Sequence, residues 1–442
     1  MNTKVREDRR LRPPRNGWLA LMPLLFLVLL MAVLGFVLND FSSVPMTVVF
    51  IITSIVAMLT LRGYSVEERV RAFSRGAGSS ELLLMVWIFI LAGAFAASAR
   101  EMGAVTATVD LTLRLLPSDM LLASLFVAAC VVSICIGTSV GTIVALVPVA
   151  AELAERTGIV LPLMVAAVVG GSFFGDNLSF ISDTTVAATR TQGCSMNDKF
   201  KTNFKLVLPV AIVCFVIYAI MGVRGTSVEQ VPLQEVHLWR ILPYAAVLVT
   251  ALLGVNVLLV LCLGILLTGI VGLFDGSYTL TNWIASMAKG VTGMGDLILI
   301  SMMAGGLLAI VRKGGGVTYL VRGLTRRVHT SRGAECCISA LVALTNCCTA
   351  NNTVAILSVG SIAKDIAERY GVDKRRSASL LDIFSCVVQG IIPYGAQLLM
   401  ASGLAVLSPI EIIPYLYYPM LLAVITVMSI LLMKKNGKTS KK

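Results

Sequence analysis

Charge is scarce in this chain, and so is histidine. Only 14% of residues are charged while 57% are hydrophobic, against about 25% charged in a soluble domain. The two histidines, His237 and His329, both fall in expected loops, which leaves no histidine-based catalytic or metal centre. Ten cysteines are present, with adjacent pairs at Cys336–Cys337 and Cys347–Cys348 but no C-x-x-C. That spacing speaks against a zinc or disulfide framework, and cysteine also serves as a small apolar packing residue. The net charge of +12 does not point to nucleic acid. The basic residues cluster in "MNTKVREDRRLRPPRN", "KKNGKTSKK" and a few loops, as the positive-inside rule distributes them.

What is abundant is apolar sequence. "GWLALMPLLFLVLLMAVLGFVL", residues 17–38, is long enough to cross a bilayer core of ~30 Å as a helix. Such runs recur, and mean hydropathy is +0.89. The first run is too long for a signal-peptide core and more spans follow it. The chain is therefore read as an all-α polytopic membrane protein.

An internal repeat lies beneath the apolar background. "GTIVALVPVAAELAERTG", starting at Gly141, aligns with "VAILSVGSIAKDIAERYG", starting at Val354. Glu155, Arg156 and Gly158 fall on Glu368, Arg369 and Gly371, Asp176 on Gln389, and Thr184 on Gln397. The expected organisation is a basic tail (1–16), a two-span segment (17–78), repeat one (79–222), a linker with about two spans (223–293), repeat two (294–433) and a basic tail (434–442). Before its hairpin, copy one carries Arg100 and Arg114 against Glu101, Asp110 and Asp119. Copy two carries Arg312, Lys313, Arg322, Arg326, Arg327 and Arg332 with no acid. That contrast predicts inverted copies with both chain ends in the cytoplasm, an architecture of transporters. Each copy is expected to hold a re-entrant hairpin (119–157 and 334–370) and a broken transmembrane helix (160–191 and 377–407). The total is about ten spans plus two hairpins. Arg62, Arg69, Arg71 and Arg75 are assigned to an inside loop, and Lys199 and Lys201 to the inside flank of the first broken span.

Four polar islands interrupt the apolar runs: "GTSVGT" from Gly137, "FGDNLSFISDTT" from Phe174, "TANNT" from Thr349 and "QGIIPYGAQ" from Gln389. Broken helices survive in a bilayer only when buried in protein or lining a wet cavity. Breaks expose amides at half-helix N-termini and carbonyls at C-termini. Carbonyls, hydroxyls and carboxylates are ligands for a hard cation, and amide-rich N-termini suit an anion. Intramembrane carboxylates mark ion or proton pathways. Burial disfavours the charged carboxylate and a bound cation favours it, so one group can exchange a proton for sodium. Asp176, which has no basic residue in its own span nearer than Arg190, is the first candidate. Asp183 either shares the sodium or merely caps a half-helix, as Asp and Ser do well. Asn177, Ser182 and Thr184 complete that island. Thr138, Ser139 and Thr142 form the first hairpin tip, and Asn351, Asn352 and Thr353 the second. The asparagines read either as ligands or as a tight turn. Gln389 makes the second half-site neutral. "GTSVG" also matches a nucleophile elbow, but it lacks the strand–turn–helix context and partner histidine of an enzyme. Gly171 and Gly175 form G-x-x-x-G, a close-packing motif.

At Gly175, Asp176, Ser182, Asp183, Thr184 and Thr185 the chain resembles the NhaC-type sodium/proton antiporter family, within the ion-transporter superfamily. Gly137, Thr138, Ser139, Gly141 and Thr142 match that family's hairpin tip, and the resemblance covers most of residues 79–433. It implies a secondary transporter of the bacterial inner (plasma) membrane, neither enzyme nor cofactor-dependent, moving sodium and protons and forming a homodimer. There are departures. Val140 replaces an aromatic common in the first tip, and the second tip, "ANNT", is closer to the Ser-Asn-Thr tips of sodium-coupled carboxylate carriers. The alternative implied is a coupled carrier or exchanger of a small organic anion or amino acid.

Overall fold

The computed structural model describes residues 18–38, 44–115, 117–180, 182–225, 237–326 and 328–432. The basic tails at 1–16 and 434–442, Arg327, Ile181 and linker residues 226–236 lie outside the described residues. Every described element is helical, as expected where backbone polar groups must pair within their own segment.

The first half comprises α1 (Met22–Val37), α2 (Met46–Thr60), α3 (Val66–Ala77), α4 (Ser80–Glu101), α5 (Ala104–Leu115), α6 (Leu121–Ile136), α7 (Ser139–Thr157), α8 (Leu161–Leu178), α9 (Asp183–Gln192) and α10 (Met196–Gly225). The second comprises α11 (Leu238–Leu252), α12 (Val257–Phe274), α13 (Leu280–Gly293), α14 (Gly295–Lys313), α15 (Gly316–Thr325), α16 (Ser331–Thr349), α17 (Asn352–Tyr370), α18 (Lys374–Ile391), α19 (Ala396–Ala405), the short α20 (Pro409–Ile412) and α21 (Tyr417–Leu432). By length and composition, six helices can cross a membrane, or seven counting the pair bent by 53° at Leu416. Shorter apolar helices at 22–35, 46–60, 121–136 and 238–250 add to these. Large apolar side chains such as Leu29, Leu59, Leu259 and Val424 are exposed along them. A water-soluble surface rarely carries so much apolar area; a lipid-facing one requires it.

The halves keep one register. α7, α8 and α9 begin at 139, 161 and 183, and α17, α18 and α19 at 352, 374 and 396, a difference of 213 each time. Packing between halves is crossed: α9 lies on α17 and α19 on α7, α3 on α14 and α13 on α4, α2 on α14 and α12 on α4. Such reciprocal contacts are those of a pseudo-twofold pair. The crossed contacts of α12 match those of α2, so the stretch read as a linker supplies helices equivalent to the N-terminal pair.

One segment differs from expectation. The basic residues assigned to a loop at 62–75 lie largely on α3, an amphipathic helix. Ser65 and Glu68 close its N-terminus as a reciprocal capping box. A Cβ at Gly76 would collide with Gly305 and Ala309 of α14, so the two helices touch backbone to backbone.

Local chemistry explains the interruptions. Gly137 at the first tip has φ +74° and closes α6 by donating its amide to the Ser133 carbonyl at 2.9 Å. Glycine enters this left-handed region without a Cβ penalty. At the second tip Ala350 occupies the same region with φ +47°, at a cost of roughly 1–2 kcal/mol. The broken spans interrupt at 179–182 and 392–395, the latter carrying Pro393 and Gly395. Gly171 and Gly175 bring α8 hard against α6: a Cβ at Gly171 would stand 2.6 Å from the Phe126 carbonyl oxygen, and one at Gly175 would overlap Ser133.

Candidate functional site

The two hairpin tips and the two helix breaks converge. Asp176 lies in the last turn of α8, 4% exposed. Its Oδ1 accepts the main-chain amide of Ser139 at 3.0 Å. Ser139 is the first residue of α7, so the carboxylate sits at a helix N-terminus, where amides are unpaired and the dipole favours negative charge. The Ser139 hydroxyl accepts from Gln397 Nε2 at 3.0 Å. Gln397 Oε1 accepts from Gln389 Nε2 at 2.9 Å, and the same Nε2 donates to the Ala350 carbonyl at 3.1 Å. A buried polar line thus runs from the first half's break through the first tip and the second break to the second tip. Its last bond also holds the carbonyl of the left-handed Ala350. Gln397 and Gln389 are the register partners of Thr184 and Asp176, so the halves contribute different groups from equivalent places.

The remaining candidates divide. Thr142 is buried and donates to the Thr138 carbonyl at 3.1 Å; Thr138 is the half-buried N-cap residue of α7. Asn177 Nδ2 donates to the Phe173 carbonyl at 2.9 Å and to the Tyr418 hydroxyl at 3.1 Å. Ser182, not Asp183, is the N-cap residue of α9, and it exchanges a hydrogen bond with the buried Thr184 at 2.9 Å. Asp183 is exposed in the first turn, which corrects its reading as the cap. There its charge favours the helix dipole. Asn351 caps α17, its Oδ1 accepting the Val354 amide at 3.0 Å, so its carbonyl does structural work. Asn352 Oδ1 accepts the Thr353 amide at 3.0 Å, with Thr353 half-buried, and Asn352 Nδ2 faces Cys386 Sγ at 4.0 Å.

Lys199 departs most from expectation. It does not flank the span at the surface but is 1% exposed. Its Nζ meets Asp382 Oδ2 of α18 at 2.8 Å, the Asn177 carbonyl at 2.8 Å and Thr185 Oγ1 at 2.6 Å. Asn203 Nδ2 donates to Asp382 Oδ2 at 2.8 Å and to the Asn177 carbonyl at 2.9 Å. The Asn177 carbonyl belongs to the C-terminal end of α8, where a cation is favoured. Asp382 carried the same signal as Asp176, a lone aspartate within the apolar run "SLLDIFS". Gln397 was visible as the partner of Thr184 and as the last residue of the fourth polar island, without being read as part of the site. A repeat-equivalent pair also escaped notice. Ser133 Oγ donates to the Ser172 carbonyl at 2.5 Å, and Asn346 Nδ2, 213 residues later, to the Ser385 carbonyl at 2.7 Å.

Known antiporters are similar to this chain in sequence. The malate-2H(+)/Na(+)-lactate antiporter of Bacillus subtilis (strain 168) is 23% identical over 88% of this chain and 89% of its own. The Na(+)/H(+) antiporter NhaC of the same organism is 25% identical over 77% of this chain and 81% of its own. The crystal structure of the Alcanivorax borkumensis YdaH transporter is 13% identical with a TM-score of 0.42, covering 82% of this chain and 86% of that one. The model of the Na+/H+ antiporter family matches residues 16–223 and 229–434, nearly the whole length, and the chain belongs to that family.

Proposed function

We propose that this secondary antiporter exchanges sodium for protons across the bacterial inner membrane, with Asp176 as the carboxylate that the two ions share. The observation that carries this reading is the Asp176–Ser139 contact. It sets a buried carboxylate at a helix N-terminus, on a polar line joining both tips and both breaks. Sodium and a proton cannot both neutralise one carboxylate, so binding of either expels the other. The basic residues at 312–332 and the acids at 110–119 support inverted halves, with the former cytoplasmic. The test is transport in proteoliposomes with a pH-reporting dye inside and sodium pulsed outside. Sodium-driven alkalinisation or acidification that Asp176→Asn abolishes supports the reading; unchanged exchange in that variant rejects it.

A second reading has its own observation. A cavity of about 190 Å³ opens beside the second tip, lined by Ser79, Ser301, Arg312, Thr349, Asn351 and Tyr394 among others. An arginine with hydroxyl and amide groups suits a carboxylate, and one relative is named for malate and lactate. Counterflow of labelled lactate or malate in the same vesicles distinguishes this exchange from one confined to inorganic ions.

A further inference from the structure

The environment of the Lys199 ammonium is that of a bound cation. Its three N–H donors meet one carboxylate oxygen, one main-chain carbonyl and one hydroxyl, all at 2.6–2.8 Å. Such hard oxygen donors coordinate an inorganic cation. The groups come from both sides of the first break and from α18 of the other half, so the ammonium sits where chain segments meet rather than along one helix. Two further acceptors, Asp382 Oδ1 and Asn203 Oδ1, are fully buried and receive no well-formed hydrogen bond among the described residues, although the Thr184 hydroxyl stands beside the Asp382 carboxylate. An ammonium has no donors left for them. A metal ion is not limited to three contacts.

We propose that this is a second monovalent-cation site, distinct from Asp176, and that Lys199 fills it as a tethered ion. Asp382, the Asn177 carbonyl and Thr185 are its ligands, with Asn203 holding the carboxylate in place. Removing the side chain opens the site to sodium. The proposal rests on the sodium-exchange reading only for the choice of ion.

The test uses the full-length protein in detergent, in alkaline buffer. Its melting temperature is followed as sodium chloride replaces choline chloride at constant ionic strength. An Asp176→Asn background removes the response of the exchange site. In it, Lys199→Ala should restore a saturable sodium-dependent rise in melting temperature. Lys199→Met, which removes the charge but keeps the stem filling the space, should stay flat. Adding Asp382→Asn to Lys199→Ala should abolish the rise. The proposal is overturned if Lys199→Ala is as insensitive to sodium as Lys199→Met. It is equally overturned if Lys199→Ala cannot be purified in sodium buffer where Lys199→Met can, since an available ion would then fail to replace the ammonium. If Asp176→Asn alone still responds to sodium, the exchange reading fails. The second site is then judged by radioactive sodium bound per chain, which should rise in Lys199→Ala and not in Lys199→Met.

Discussion

The main-chain amide of Ser139 donates to the carboxylate of Asp176 across 3.0 Å, so the first hairpin tip and the first broken span meet at one hydrogen bond. Anything that moves the tip draws the Ser139 amide away from that carboxylate.

Asp176→Asn keeps the shape and an acceptor for that amide but holds the site neutral. It should purify normally and show no sodium-driven pH change. In the unmodified protein, acidifying the medium should raise the sodium concentration needed for half-maximal exchange, because protons compete for the same oxygens. Asp183→Asn, altering an exposed residue, should exchange at close to the normal rate. A vesicle assay in which Asp183→Asn is inactive and Asp176→Asn active would reverse the two roles.

The glutamine pair offers a separate handle. Gln397→Leu removes the donor to Ser139 and leaves Gln389 Nε2 with one partner fewer. A lost hydrogen bond with a buried partner left unsatisfied costs about 1–3 kcal/mol, so half-saturating sodium should rise roughly tenfold. An unaltered sodium titration would show that the polar line does not reach the ion.

Gly175→Ala tests packing rather than chemistry. The new Cβ overlaps Ser133, and overpacking of this kind costs typically about 1–3 kcal/mol. The melting temperature should fall, and Ser133→Gly in the same chain should recover part of the loss. No recovery would place the strain elsewhere.

Topology is checked with single cysteines in a cysteine-free background. Leu115→Cys and Arg326→Cys, both at exposed positions, should react with an impermeant thiol reagent from opposite sides, Arg326→Cys from the cytoplasm. Labelling from the same side removes the case for inverted halves.

Outside the spans, Asp275 gives a pH prediction. Hydrogen bonds from Ser277 and Trp239, with Arg240 alongside, hold its carboxyl below the usual carboxylate range. A lowered folded-state value adds stability above the unfolded value of about 3.9 and loses it as pH falls through the folded one. Fluorescence of Trp239, compared with Asp275→Asn, should change in that acid range in the parent only.

Elements whose signals are local were legible. Runs of apolar residues located the long helices, and the glycines and prolines of the polar islands located the breaks. α3 carries the Ser65–Glu68 capping signature in "SVEE", but its basic residues equally fit the positive-inside pattern of a loop. Asp382 alone carried the signal of Asp176, but its pairing with Lys199 was not legible. The two residues are 183 positions apart (382 less 199), and their register partners, Ile412 and Val169, are apolar, so the repeat gave no hint of the pair. α11 and α12 were not recognised as counterparts of α1 and α2 because lipid-facing sequence tolerates almost any apolar residue. Asp176 stood out for the opposite reason: a carboxylate in such surroundings has few structural justifications.

The shared 213-residue register bears on the energetics of the working cycle. If the halves were chemically alike, swapping their conformations would give inward-open and outward-open forms of equal free energy, each populated half the time. Here Asp176, Lys199 and Asp382 face Gln389, Ile412 and Val169 in the register, so the exchange is not between equals. On the proposed inverted arrangement, no symmetry then holds the unloaded carrier evenly between its two orientations, and the two directions of transport should differ in apparent affinity even when the ion gradients are matched.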